Sequence, residues 1–389
     1  MVNLLSLADE LLVAIVQYLD HDHEKPSLDF WAVAYWGDKA LEACTQSQRA
    51  RNLRSLMLSS RRLHRIVKPF FYRDIFLGSS PRTPTKFHRA LEENALLLDH
   101  TESTIVRCAD DFEDVSALFW HRMNTLTICD FGDWYPLDFD DDHVGQSRLL
   151  RLNLIKCGAK EDALAAVLSW PAETQSLHYD ADQGEWEGHY ENESVVSWTC
   201  AAFVRALQPQ EAHLQELTLT QVGLAHEGLF MGPQIDLHDF KALTTLRIFE
   251  VFLCGIENPH ECWRSLPPNL ETLEVSYDDT GYINFLRDDG GPYGGGWLDE
   301  LLDRKQANFS NLSRTSVRSW EDGPDDGEME PTARSLYNWE LPPALGEKCR
   351  AAGVDLQILL GSMDDQPWAD HDAVDILPWD WWSPIVSTV

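Results

Sequence analysis

Leu214-Gln215-Glu216-Leu217-Thr218-Leu219 sets three leucines in the spacing L-x-x-L-x-L. Its second half alternates as a strand does, so Leu217 and Leu219 share one face while Glu216 and Thr218 share the other. The spacing returns at Leu149, Leu152 and Leu154, at Leu243, Leu246 and Ile248, and at Leu270, Leu273 and Val275. Met123, Leu126 and Ile128 make a looser copy, and Leu177 with Tyr179 a looser one still. Neighbouring copies stand about 25 to 29 residues apart, except for one step of about 40 between Leu177 and Leu217. A strand and turn of that length bury their leucines only against the next copy, so the units must stack with strands side by side and parallel.

Helical stretches fall between the strands, over 163–170 and 195–207, and the long step accommodates a charged, glycine-bearing loop, Asp180–Glu193. Cys157 stands where such units place an Asn or Cys to bond the turn backbone, although most copies lack that residue. With these features the region 100–320 resembles the divergent leucine-rich repeats that follow F-boxes in many fungal proteins. The expected fold class is therefore α/β, an N-terminal helical unit followed by an irregular leucine-rich repeat solenoid with parallel strands. Its rival is another α/β protein in which the spacing recurs by chance. In such a solenoid the residues between the inward leucines face the concave side, a common binding surface. Those residues are Arg151, Asn153, Glu216, Thr218, Thr245, Arg247, Thr272 and Glu274, and the loop adds Trp186 and Tyr190. They are the candidate target-binding residues, with a merely solvated strip as the alternative.

Upstream, Ser6 can cap a helix whose third position is Asp9. Leu11, Leu12, Ile15, Val16 and Leu19 then follow a helical period, and a second amphipathic segment runs from Leu53 to Val67. Pro69 should end it, because proline lacks the amide and restrains the residue before it. Leu5-Ser6-Leu7-Ala8-Asp9-Glu10-Leu11-Leu12, Leu53-Arg54-Ser55-Leu56-Met57-Leu58-Ser59-Ser60-Arg61-Arg62-Leu63 and the exit from Pro69 to Ile75 together resemble an F-box. Two departures stand out: Ala8 replaces the usual proline of the opening, and residues 20–51 separate halves that normally lie close together. Leu28, Trp31, Tyr35, Trp36 and Leu41 give that insert a helical spacing of its own. The resemblance implies binding to the Skp-type linker subunit of a cullin–RING ubiquitin ligase, through Leu7, Leu11, Ile15, Leu19, Leu53, Leu56 and Leu63. An ordinary helical cap on the array is the alternative.

The organisation expected is a helical unit over 1–75, a repeat array over 76–320, and an acidic loop, terminal strand and aromatic cap over 321–389. The strand is placed at 354–360, the acidic loop at 321–331, and the cap at Ile376-Leu377-Pro378-Trp379-Asp380-Trp381-Trp382. The net charge of −33 repels phosphate backbones and anionic bilayers, so neither nucleic acid nor membrane is an expected partner. No apolar run has the length of a membrane span, and the acidic start lacks the basic flank of a secretory signal. The 8 cysteines form no C-x-x-C pair, which fits reduced thiols in the cytoplasm or nucleus. On that view the N-x-S triplets at Asn192, Asn308 and Asn311 are chance matches. Asp138, Asp140 and Asp142 begin like a calcium loop, but His143 and Leu149 occupy the positions that need Gly and Glu. Gly290–Gly296 lacks the Lys of a phosphate loop, and no nucleophile elbow or zinc-protease helix occurs. No cofactor is expected. The function expected is a substrate-recognition adaptor, with no catalysis of its own. The rivals are a repeat scaffold with no ligase link and an enzyme with an unrecognised acidic pocket.

Overall fold

The computed structural model describes residues 7–21, 48–77, 100–107, 123–129, 131, 144–159, 161–182, 199–222, 233–255, 261–277, 296–319, 335–338, 341, 343–360 and 373–375. The inserted helix expected near 28–41, Trp186, Tyr190, the calcium-like residues 138–143, the glycines 290–295, the acidic loop and the aromatic end lie outside the described residues.

Three helices come first: α1 (Asp9–His21), α2 (Gln48–Ser59) and α3 (Arg61–Phe71). The second amphipathic segment is thus two helices, broken at Ser60, whose extended backbone and side chain cap α3 by accepting from the Leu63 amide at 3.1 Å. Proline does not end α3. The helix carries Pro69 inside it and runs to Phe71, and the Tyr72 amide still donates to the Lys68 carbonyl at 3.1 Å. Leu12, Val16, Leu53, Met57, Leu63, Ile66 and Val67 form a small core of their own. Asp9 ties the first helix to the third, accepting from Arg62 Nε at 2.6 Å and Arg65 Nη2 at 2.7 Å, while Arg62 Nη2 donates to the Leu7 carbonyl. The hydrogen bond from Arg62 holds the Asp9 carboxyl below the usual range.

Two residues after α3 the chain enters a sheet. Its strands are β1 (Asp74–Leu77), β2 (Ser103–Arg107), β3 (Thr125–Cys129), β4 (Arg151–Cys157), β5 (Ser176–Asp182), β6 (Glu216–Val222), β7 (Thr245–Phe249), β8 (Thr272–Tyr277) and β9 (Arg314–Ser319). These nine lie in chain order and pair parallel throughout. β11 (Asp355–Leu360), the terminal strand, continues parallel to β9, whereas β10 (Ser335–Asn338) and β12 (Ala373–Asp375) run antiparallel to their neighbours. The protein is therefore α/β, built on a long parallel sheet.

The copies stay in register through two columns, with a shift between β4 and β5 only beyond them, between Leu154 and Cys157. Leu126, Leu152, Leu177, Leu217, Leu246, Leu273, Thr315 and Leu356 are register partners in one column, and Ile128, Leu154, Tyr179, Leu219, Ile248, Val275, Val317 and Ile358 in the next. All are buried, and they share a core with the helices α4 (Glu161–Ser169), α5 (Cys200–Leu207), α6 (Glu250–Cys254), α7 (Gly296–Asn308) and α8 (Pro343–Ala352). From β1 to β8, the carbonyl before each strand accepts two amides of the next copy. Asn124 takes those of Leu150 and Arg151 at 3.0 and 2.9 Å, Gln175 those of Gln215 and Glu216, and Thr244 those of Glu271 and Thr272. Tyr179, replacing a leucine, sends its hydroxyl to the Cys157 carbonyl at 3.1 Å and packs edge-on against Phe203. Buried Gln210 satisfies the turn after α4, donating to the Leu168 and Pro171 carbonyls and accepting from the Thr174 amide.

Two boundaries move. Asp180 is not in a loop: β5 extends to Asp182, because Thr220 of β6 donates its hydroxyl to the Asp180 carboxyl at 2.8 Å. The α5 helix begins at Cys200, capped by Thr199, five residues later than its apolar pattern suggests. Leu246 is fully buried in the middle of the column, so Leu246→Ala should lower unfolding stability in urea by about 2–5 kcal/mol. A loss within about 0.5 kcal/mol, the range of a surface change, would show that this column does not carry the stack.

Candidate functional site

Two surfaces stand out. On the helical unit, the inward stripe of α1 is Leu12 and Val16, each 1% exposed. That leaves Leu11, Ala14, Ile15 and Tyr18 on another stripe, at the spacing of adjacent helical turns. Leu11 is 53% exposed, Tyr18 63% and, on α2, Leu58 76%; of the large apolar side chains that are exposed among the described residues, Val144 alone lies elsewhere. Of the residues proposed for linker binding, Leu11 and Ile15 belong to this outer stripe, and Leu7 and Leu56 lie half-buried against the small core. Leu53 and Leu63 are buried within that core, so they support the surface without forming it. Leu19 lies on the last turns of α1. Tyr18 and Leu58 were not singled out from sequence, because two apolar stripes run along these helices and period alone does not say which faces inward.

The second surface is the sheet face opposite the helical core. Strand alternation and register place all eight strand candidates there, in two rows: Arg151, Glu216, Thr245 and Thr272, then Asn153, Thr218, Arg247 and Glu274. The first row is open, with Arg151 exposed and the other three half-buried. The second is not. Thr218 is 5% exposed and Glu274 only 2%, so neither is a surface contact.

Glu274 is instead an ion-pair centre. Arg247 Nε lies 3.7 Å from its Oε2 and Arg318 Nε 3.2 Å from its Oε1, both arginines nearly buried. Next to Thr218 in the register stands His178, and behind it Asp180 and Thr220, all buried. Thr220 gives its single hydroxyl proton to Asp180, so the 3.4 Å contact with His178 Nε2 has the ring donating. Burial, and secondarily the charge of Arg247, hold the His178 pKa well below its usual value, so the ring is neutral. His178, Thr220 and Asp180 thus form a buried hydrogen-bond network. Towards the N-terminal strands, Asn153 Nδ2 donates to Thr127 Oγ1 at 2.9 Å. His178, Asp180, Thr220 and Arg318 were missed from sequence; register against Thr218 and Glu274 was the signal that locates them.

Cys129, Cys157, Cys200, Cys254, Cys262 and Cys349 are free and buried, and burial pushes the Cys200 thiol up to about 12. Among the described residues no group of His, Cys, Asp and Glu is placed to hold a metal ion, and no helix is long and apolar enough to cross a membrane. Compared with known protein families, curated proteins and solved structures, the chain matches none.

The state of His178 has a measurable consequence. Its folded pKa lies below that of the unfolded chain, about 6.5, so the unfolded state binds the proton first as pH falls. The stabilising contribution is therefore complete above that value and is lost below it, at up to about 1.4 kcal/mol per pH unit. Urea unfolding of His178→Gln between neutral and mildly acidic pH should show a shallower decline than the wild type; parallel declines would mean that the ring protonates freely in the folded chain.

Proposed function

We propose that this protein is a substrate-recognition adaptor of a cullin–RING ubiquitin ligase, its N-terminal unit acting as an F-box and its sheet as a divergent leucine-rich repeat solenoid. The observation that carries the first half is the exposure of Leu11 and Tyr18 on one stripe of α1, with half-buried Ile15 between them, and of Leu58 on α2, on a unit that has already filled its own core. Burying such a surface against a partner is worth roughly 25 cal/mol per Å² of apolar area, whereas leaving it in water is unusual for a chain that works alone. The linker subunit is the partner this stripe suits, with Leu53 and Leu63 holding the helices at their angle.

The second half rests on the ordered parallel stack. Its polar face, opposite the helices, gives a target a long row of strand positions, open at Arg151, Glu216, Thr245 and Thr272. The target is a protein, bound in the cytoplasm or nucleus, and ubiquitin transfer is done by other subunits. The chain itself needs no cofactor in this role.

Leu11 projects into solvent, so Leu11→Asp leaves the small core intact while placing a charge on the docking stripe. Copurification of a Skp-type linker from native extract should be lost in Leu11→Asp with Leu58→Asp, at an unchanged melting temperature. Full retention of the linker by a folded double variant removes the F-box assignment and leaves a repeat scaffold with no ligase link.

A further inference from the structure

The polar sheet face is not uniform in charge. Among the described side chains of β5 and β6 it carries the acids Asp180 and Glu216 and no base besides the neutral His178. On β7, β8 and β9 it carries Arg247, Arg314 and Arg318 against the single acid Glu274. A local excess of positive charge is notable on a chain of net charge −33. Beyond roughly 8 Å in physiological salt the remaining acids are screened, so a ligand on these strands responds mainly to the arginines.

Glu274 does not exhaust them. Its one carboxylate is shared by two guanidinium groups, and the Arg247 contact, at 3.7 Å, is longer than a hydrogen bond. An Arg247 side chain only 13% exposed is therefore held by charge without a close acceptor. An independent observation points the same way. The hydroxyls of Ser276 and Ser316, on this face beside Glu274, are 0% and 6% exposed and have no hydrogen-bond partner. Buried hydroxyls without partners are uncommon unless something supplies the missing acceptor or donor. Arg314, in the open first row, is exposed and marks the side from which a ligand enters.

We propose that β7, β8 and β9 form a subsite for a carboxylate side chain of an acidic, extended target segment, with Arg247 and Arg314 as its cationic partners and Ser316 as a hydroxyl donor. This deepens the assignment of the polar sheet face as the target-holding surface and rests on it. A carboxylate fits better than a phosphate. Buried Glu274 lies beside the subsite and repels a dianion more strongly than a monoanion. The acids of β5 and β6 repel an anion, so the segment's acidic residue is confined to the β7–β9 end and a neutral or basic residue follows it across β6.

Fluorescence anisotropy with the full-length chain tests this, using a labelled peptide of alternating Glu and Ser and counterparts carrying Gln, Lys or phosphoserine in place of Glu. The Glu peptide should bind, and the Gln and Lys peptides should bind about tenfold more weakly or not at all. Arg314→Gln, at an exposed position, and Arg247→Gln, checked by circular dichroism, should each weaken the Glu peptide about tenfold. Ser316→Ala should weaken it a few-fold. Equal binding of Glu and Gln peptides, indifference of the Glu peptide to both arginine variants, or no binding at all overturns the subsite. Tighter binding of the phosphoserine peptide overturns the choice of carboxylate. Preference for the Lys peptide, abolished by Glu216→Gln, also overturns the acidic class yet leaves the sheet face as a target surface. That broader assignment fails separately, when partners recovered from native extract are unchanged in Arg314→Glu with Glu216→Lys.

Discussion

From β1 to β8, the carbonyl of the residue before each strand accepts amide hydrogens from two consecutive residues of the copy that follows, as at Asn124, Leu150, Gln175, Gln215, Thr244 and Glu271. That forked acceptor sets where every strand starts relative to its neighbour. A shift of one residue would turn Leu217 and Leu219 away from α4 and α5 and send Glu216 and Thr218 into the core. The leucine columns, the satisfied turn around Gln210 and the charge pattern of the opposite face all follow from this one registration. The Arg247–Glu274–Arg318 arrangement depends on it most, since the three side chains come from three strands and meet only in this register.

How much of this could be read from residues alone varies with how strongly one side chain type is required. The columns were legible where leucine fills them, at 152, 217, 246 and 273. They were illegible where threonine does. Thr101-x-x-Thr104-x-Val106 and Leu312-x-x-Thr315-x-Val317 are copies of the same unit, with Thr104 and Thr315 fully buried at the leucine position, and their polar appearance hid β2 and β9. Threonine is branched like valine and suits a pleated surface, so shape is kept where hydropathy is not. The Pro69 expectation failed for the opposite reason. A local rule about a missing amide was overridden because Ile66 and Val67 are anchored in the small core and carry the helix past the proline.

The candidate surfaces show the same division. Strand alternation was sufficient to place Arg151 to Glu274 on one face, because it needs only the backbone. It could not say that Glu274 is buried between two arginines, since Arg318 stands far along the chain in a copy whose leucine is disguised. On the helical unit, period alone allowed either stripe of α1 to face outward. The choice was made by Leu53 and Leu63 of the other two helices, which meet Leu12 and Val16.

The reversed strand β10 and the short strand β12 beyond it have a bearing on how the chain behaves in a crowded solution. A stack of parallel strands in which each copy templates the next has no intrinsic stop, and an open terminal strand invites a second molecule to continue the series as a fibre. Here β10 runs against β11, β12 turns back to the direction of the stack, and this outermost strand spans only Ala373–Asp375, ending in an acid. A neighbouring molecule's β1 would meet an outer edge only three residues long, too short to template a full strand. The short outer strand thus acts as a built-in terminator, limiting further growth of a sheet with self-propagating geometry.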